Sequence, residues 1–221
     1  MCGMLVEAAG VALSVHDPEP SADGLATVLV HGIGGTAWPV DELPGRVITY
    51  SRRGYGASGA PQPYERTTVS EQAEDLAAVV RARDAAPAVL VGAGLGALIV
   101  LDVVLRHAAL VHAAVLLDPP AYMFVPSATE ALSEQRRAME AELRAGGPAA
   151  IEEARSRIVD FGALATLPLG YGNLGEVSVP VAIVSTDAAQ PHDLAAAEAL
   201  LDAIPTALGA SSLVDGVARV R

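Results

Sequence analysis

Between Ala85 and Leu101 the chain carries no charged side chain, and Gly92, Gly94 and Gly96 break the run at alternate positions. This stretch limits the possible folds more than any other. A bilayer span needs about 20 continuous apolar residues. The run here is shorter, is interrupted by glycine and ends at Asp102 without a basic flank, which argues against a span. A buried strand over Ala88–Val91 that turns sharply into a buried helix over Ala97–His107 has the same composition.

The flanking sequence repeats that alternation. Apolar residues around Gly10, from Leu5 to Val15, read as strand, and a turn follows at Asp17-Pro18 and Pro20-Ser21. Strands are expected at Thr27–Val30, Arg46–Tyr50, Ala113–Leu117 and Val179–Val184. Thr68–Arg83 reads as a helix with Val69, Ala73, Leu76, Val79 and Val80 on one face, and Asp193–Ile204 as another. The last stretch, Ser211–Val220, is expected to hold a final short strand. Strands alternating with helices imply an α/β fold with a mostly parallel, twisted sheet covered by helices on both faces. From Ala121 to about Gly175 no buried strand is visible. Two helices, Ala128–Ala145 and Ala149–Phe161, are separated by Gly146-Gly147-Pro148, and Leu164–Gly175 reads as loop. An excursion this long exceeds an ordinary connection. It reads as a helical lid over residues 121–175, inserted into a single domain spanning 1–221.

Charge and composition exclude several functions. The formal net charge of -12 argues against nucleic acid or an anionic membrane as partner, since both require a basic surface. All 14 basic residues are arginine, so Schiff-base chemistry and a phosphate-binding lysine are ruled out. Cys2 is the sole cysteine, which leaves no intrachain disulfide and no cysteine-based metal cluster. No metal and no cofactor is expected. The N-terminus shows no signal-peptide pattern, so a cytoplasmic protein is expected. Aromatic residues make up only 4%, so Ala, Val and Leu must build most of the core.

In open α/β sheets the functional residues lie just past the carboxyl ends of the strands. Those places hold His31-Gly32, then Arg53-Gly54-Tyr55-Gly56-Ala57-Ser58, then Gly92-Ala93-Gly94-Leu95-Gly96, then Asp118 and Asp187. This ordered set resembles the α/β-hydrolase superfamily, in particular its lid-bearing esterases, epoxide-hydrolase relatives and carbon–carbon hydrolases. Such proteins carry His-Gly after the third strand, Arg-Gly-x-Gly-x-Ser after the fourth and Gly-x-Ser-x-Gly after the fifth. The resemblance covers roughly residues 3 to 207. The Gly-x-Ser-x-Gly match fails at its centre, where Gly94 stands in place of the nucleophilic serine at the strained strand-to-helix turn. The resemblance implies Asp187 as the acid. The family's base comes last in chain order, but no histidine follows His192, only five residues beyond Asp187. The resemblance also implies an oxyanion hole made by backbone N–H groups, here Leu95 with Ile33 or Gly34. The resemblance makes His31 structural in its turn; His31 is also, with Trp38, Tyr122, Met123, Phe124 and Phe161, a candidate to line a pocket between sheet and lid.

The same glycines also spell a dinucleotide fingerprint, Gly92-x-Gly94-x-x-Ala97, with Asp118 placed to hold a ribose. That alternative leaves His31-Gly32 and Arg53–Ser58 unexplained. Arg52 and Arg53 read most simply as turn and sheet-edge ion pairs. The functional expectation is a protein without the serine triad that binds or converts a small carbonyl-bearing molecule, as a receptor or a lyase-like or cyclase-like enzyme. The alternatives are a hydrolase drawing an atypical nucleophile from Ser51, Ser58 or Ser185, an NAD(P)-binding protein, and a structural pseudoenzyme.

Overall fold

The computed structural model describes residues 4–19, 24–35 and 37–221; Cys2 and the expected turn residues Pro20 and Ser21 lie outside them. Eight strands form one sheet in the order β1-β2-β4-β3-β5-β6-β7-β8. They are β1 (Met4–Ala8), β2 (Val11–His16), β3 (Thr27–Val30), β4 (Val47–Tyr50), β5 (Ala88–Ala93), β6 (Val111–Leu117), β7 (Val181–Val184) and β8 (Ala207–Ala210). β1, β2 and β4 pair antiparallel, and every pair from β4 through β3 to β8 is parallel. The burial pattern follows position. β2 alternates buried Val11, Leu13 and Val15 with more exposed residues, as a strand near the sheet edge should. β3 is buried throughout, as are the first five residues of β5.

Helices cover both faces. On one side lie α1 (Val69–Ala82), α2 (Leu95–Arg106) and α6 (Pro191–Ala203), packed on Val28, Val30, Leu90, Ala114 and Leu116. On the other, α7 (Leu213–Val220) packs Leu213, Val217 and Val220 on Leu29, Val89, Val91, Val115 and Val184. The ends of α1 follow from its sequence: the Thr68 hydroxyl accepts from the Glu71 N–H and caps the first turn. The insertion between β6 and β7 contains α3 (Ala128–Glu153), α4 (Arg155–Ala163) and the single turn α5 (Tyr171–Leu174). Gly147, at φ 72° and ψ -167°, breaks α3 just before Pro148, where the sequence places a helix boundary. A second break falls at Ala154 rather than inside a continuous Ala149–Phe161 helix.

The C-terminus corrects the sequence reading. Ser211–Val220 holds no strand; the last strand is β8, and α7 follows it. The reason is a helical code that outweighs the apolar run. The Ser212 hydroxyl accepts from the Asp215 N–H, and Leu213, Gly216, Val217 and Val220 bury one face at spacings of three and four. Gly216 lets the helix lie close, since a Cβ there would stand 3.0 Å from Val115 Cγ1.

The sheet order also bears on the dinucleotide alternative. The glycine turn follows β5, with four strands before it in sequence, and β5 lies between β3 and β6. A dinucleotide fingerprint opens the first βαβ unit of its sheet, so the topology does not support that reading.

Candidate functional site

β5 ends at Ala93 and α2 begins at Leu95, so the whole reversal from strand to helix falls on Gly94, at φ 52° and ψ -122°. The Gly94 N–H donates to the Leu117 carbonyl at 2.9 Å, and the Ala97 N–H donates to the Gly94 carbonyl at 2.9 Å. The turn is therefore held from both sides. Its flanking glycines are required by contact: a Cβ at Gly92 would collide with the Gly96 carbonyl oxygen, and one at Gly96 with the Val30 carbonyl oxygen. Gly94 differs. A Cβ there would meet nothing nearer than Gly32 Cα at 3.9 Å. What the position restricts is backbone conformation, since residues with a side chain disfavour that φ and ψ. The first N–H groups of a helix lack the i−4 partners of its interior and carry its positive dipole end, and in α2 these begin with Leu95.

The loop after β3 lies against this turn, as the Gly32 contact shows. A buried polar network holds it there. Arg52 is 1% exposed and donates from Nε to the His31 carbonyl at 2.8 Å and from Nη2 to the Gly32 carbonyl at 2.8 Å. Its guanidinium also forks onto Asp160 of α4, at 3.1 Å to Oδ1 and 2.6 Å to Oδ2. Asp160 is fully buried and further accepts from the Tyr55 hydroxyl at 2.7 Å and from Gln72 Nε2 at 3.1 Å. Desolvation opposes the Arg52 charge, but Asp160 outweighs it and holds the guanidinium above its ordinary pKa. Arg53 is equally buried and forks onto Asp75 at 2.7 and 2.9 Å. The expected ion pairs at Arg52 and Arg53 form, but their expected place at a turn and sheet edge is corrected: both arginines lie inside the protein. The sequence alone does not single out their partners: Asp75 lies 22 residues beyond Arg53 on α1, and Asp160 lies 108 residues beyond Arg52 on α4.

His31 is fixed by the same network. Its ring nitrogens lie 2.8 Å from the Gly32 carbonyl (Nδ1) and 3.0 Å from the Arg52 N–H (Nε2). Nδ1 therefore donates, Nε2 accepts, and the ring is neutral. Burial, aided by the Arg52 charge, pushes its pKa down to about 4. With both nitrogens engaged, His31 holds the loop and has no lone pair turned toward Gly94. Of the backbone donors implied by the resemblance, Leu95 lies at the start of α2, and Ile33 packs against the core. The Gly34 N–H points elsewhere, donating to the Tyr55 hydroxyl at 3.3 Å.

Beyond β5, β6, β7 and β8 the strand ends open into a cavity of about 440 Å³. Its walls include Ala93, Asp118, Ser185, Asp187, Ser212 and the Trp38 side of the β3–β4 loop. Asp187 is exposed on this rim. Asp118 sits at φ 43°, and its two carboxylate oxygens accept from the Thr186 N–H at 2.8 Å and the Thr186 hydroxyl at 2.6 Å. No histidine lines this cavity. His192 lies on α6, its ring 5.2 Å from that of Tyr122 and its Nε2 3.7 Å from Asp193 Oδ1. Of the two serines after β4, Ser58 is engaged, its Oγ donating to the Ser51 backbone carbonyl at 2.5 Å and accepting from the Ser14 N–H at 2.8 Å, whereas Ser51 borders the cleft that His31 and Tyr55 line.

The expected pocket residues separate. His31 and Trp38 share a cleft of about 500 Å³ with Tyr55, and Trp38 also borders the strand-end cavity. Tyr122, Met123 and Phe161 line a different cavity of about 380 Å³ within the insertion. Phe124 packs against the main core and borders neither. Among the described residues no three His, Cys, Asp or Glu side chains gather as a metal site requires, and no helix is long and apolar enough to cross a membrane.

Solved structures share this architecture. An alpha/beta hydrolase from Sphaerobacter thermophilus DSM 20745 superposes with a TM-score of 0.69 at 22% identity, covering 98% of both chains. An esterase from Exiguobacterium antarcticum gives 0.69 at 20% identity over 95% of this chain and 90% of its own. An enol-lactonase from Burkholderia xenovorans LB400 gives 0.66 at 20% identity over 98% and 94%. No curated protein matches the sequence. The sequence does match the profile of the alpha/beta hydrolase family from residue 27 to residue 215. That match runs from the first residue of β3 into α7 and takes in the glycine turn, the His31 loop and the strand-end cavity, so the chain belongs to the alpha/beta hydrolase family.

Proposed function

We propose that this protein is an alpha/beta hydrolase relative without a serine nucleophile, which binds a small carbonyl-bearing molecule at the Gly94 turn and does not hydrolyse it. The reading rests on Gly94 itself. The strand-to-helix turn keeps its shape and its two spacer glycines, and the space a side chain would fill at residue 94 is open. A carbonyl oxygen entering that space meets the N-terminal end of α2, where Leu95, its first residue, carries a backbone N–H and the helix dipole favours partial negative charge. No base accompanies the turn, since the loop after β8 carries Ser211 and Ser212 and His31 is neutral and bonded at both nitrogens. Asp118 and Asp187 line the adjoining cavity without a basic side chain among the walls. They disfavour a carboxylate there and favour an uncharged ketone, lactone or amide. The insertion serves as a lid, pinned at α4 by the Arg52–Asp160 pair.

The reading is tested by thermal shift with a panel of small uncharged carbonyl compounds, with NAD and NADP in parallel. A ligand held only by the native state at about 100 times its Kd stabilises by about 2.7 kcal/mol. Carbonyl compounds are expected to raise Tm in the native protein and not in Gly94→Leu, whose side chain fills the open space; the dinucleotides are expected to do nothing. A folded Gly94→Leu variant that binds the same compounds unchanged would place their site elsewhere.

A further inference from the structure

The insertion contains a helix that buries almost nothing. In α3, Ala128 is buried, but no residue from Thr129 to Pro148 is. Leu132, Met139 and Leu143 are only half-buried, although helices in water draw most of their stability from packing an apolar face. Beneath its first turns lies the cavity of about 380 Å³. Tyr122, Met123, Phe161 and Leu164 form its far side, and Leu132 and Arg136 of α3, one turn apart, form the near side. Its walls share no residue with the strand-end cavity beside Gly94. The volume lies within the range of about 300–1,000 Å³ typical of small-ligand sites.

The wall chemistry selects the occupant. The walls are mainly apolar, with Thr129, Ser133, Arg136 and the Tyr122 hydroxyl as polar groups, and among the described lining residues Arg136 is the one cation. Its side chain is 63% exposed, with Nε 3.8 Å from Glu140 Oε1, too long for a hydrogen bond. It stands at the solvent side of an apolar pocket with donors to offer an anion. The polar end of Tyr122 is already committed, donating to Asp193 at 2.5 Å. We propose that this cavity is a second ligand site, separate from Gly94, that takes a medium-chain aliphatic monocarboxylate. The chain lies between Leu132, Phe161 and Leu164, and the carboxylate meets Arg136. Filling the cavity gives α3 the apolar partner it otherwise lacks.

Calorimetric titration with hexanoate, octanoate and decanoate tests this on the whole protein. Affinity is expected to rise roughly threefold to fourfold per methylene until the cavity is full. Arg136→Gln is expected to weaken octanoate by roughly fivefold and leave octanol unchanged, the size of a partly exposed charge pair. Leu132→Trp, at a half-exposed position that tolerates bulk, is expected to abolish binding of both, and Gly94→Leu to alter neither. Octanoate binding that is lost in Gly94→Leu would move the ligand to the turn and overturn the proposal. So would affinity independent of chain length, unchanged binding in Leu132→Trp, or a concentration-dependent dimer that Leu132→Trp dissociates, since a second copy would then cover this face.

Discussion

Replacing Gly94 with alanine isolates backbone strain from crowding. The new Cβ would have its nearest neighbour at 3.9 Å, an ordinary contact. Forcing a side-chain-bearing residue to φ 52° and ψ -122° costs about 1–3 kcal/mol. Alanine also narrows the unfolded ensemble, which offsets about 0.4–1 kcal/mol of that loss. The expected net destabilisation is about 1 kcal/mol and at most about 2.5 kcal/mol. Gly96→Ala has the opposite profile: it lies in a helix, where alanine is favoured, but its Cβ would collide with the Val30 backbone carbonyl. No flexible side chain can move aside there, so the loss should exceed that of Gly94→Ala by several-fold or prevent folding. Urea unfolding at matched protein concentration measures both, provided the slope with denaturant is unchanged. Equal losses for the two variants, or a gain in stability for Gly94→Ala, would refute the claim that residue 94 is strained but sterically open.

Two further perturbations probe the network that holds the loop and the insertion. Asp160→Asn leaves the Arg52 guanidinium, 1% exposed, without its counter-charge; a loss of about 3–5 kcal/mol is expected in chemical denaturation, and a loss below about 1 kcal/mol would mean that water reaches the pair. Burial pushes the His31 pKa down to about 4 from its ordinary 6.5. The unfolded chain therefore binds the proton first, and stability present above about pH 6.5 falls as pH drops toward 4, by up to about 3 kcal/mol. His31→Gln should flatten that slope in unfolding measured at steps across the window, and an unchanged slope would assign it to other groups.

Most of the sheet was legible because its strands are short apolar runs punctuated by glycine, proline and aspartate; β8 (Ala207–Ala210) was not read as a strand. Thr27–Val30 coincides with β3, and α1 lies within one residue of Thr68–Arg83 at each end. The glycine turn was legible for a steric reason, since Gly92 and Gly96 are each required by a backbone contact. The C-terminal helix was misread because Val214, Val217 and Val220 are β-prone, and the capping by Ser212 and the i, i+4 pair of Asp215 with Arg219 outweigh that preference. Ion pairs at Arg52 and Arg53 were legible, but neither their burial nor their partners were. Arg52 and Asp160 are 108 residues apart, and only tertiary packing brings an arginine beside a glycine turn into contact with a helix of the insertion. The pocket candidates parted for the same reason: closeness in sequence placed Tyr122 and Phe124 together, but Tyr122 borders the insertion cavity and Phe124 packs on the core.

The central claim, that this family member works without an activated serine, is tested most directly by intact-mass spectrometry after treatment with a broad fluorophosphonate probe. The native protein is expected to gain no adduct. Gly94→Ser is expected to remain almost unlabelled as well, because a hydroxyl restored without a neighbouring base stays protonated. A stoichiometric adduct on the folded native protein, mapped to Ser185 or to any other serine, would contradict the account and make the protein a hydrolase with a relocated nucleophile.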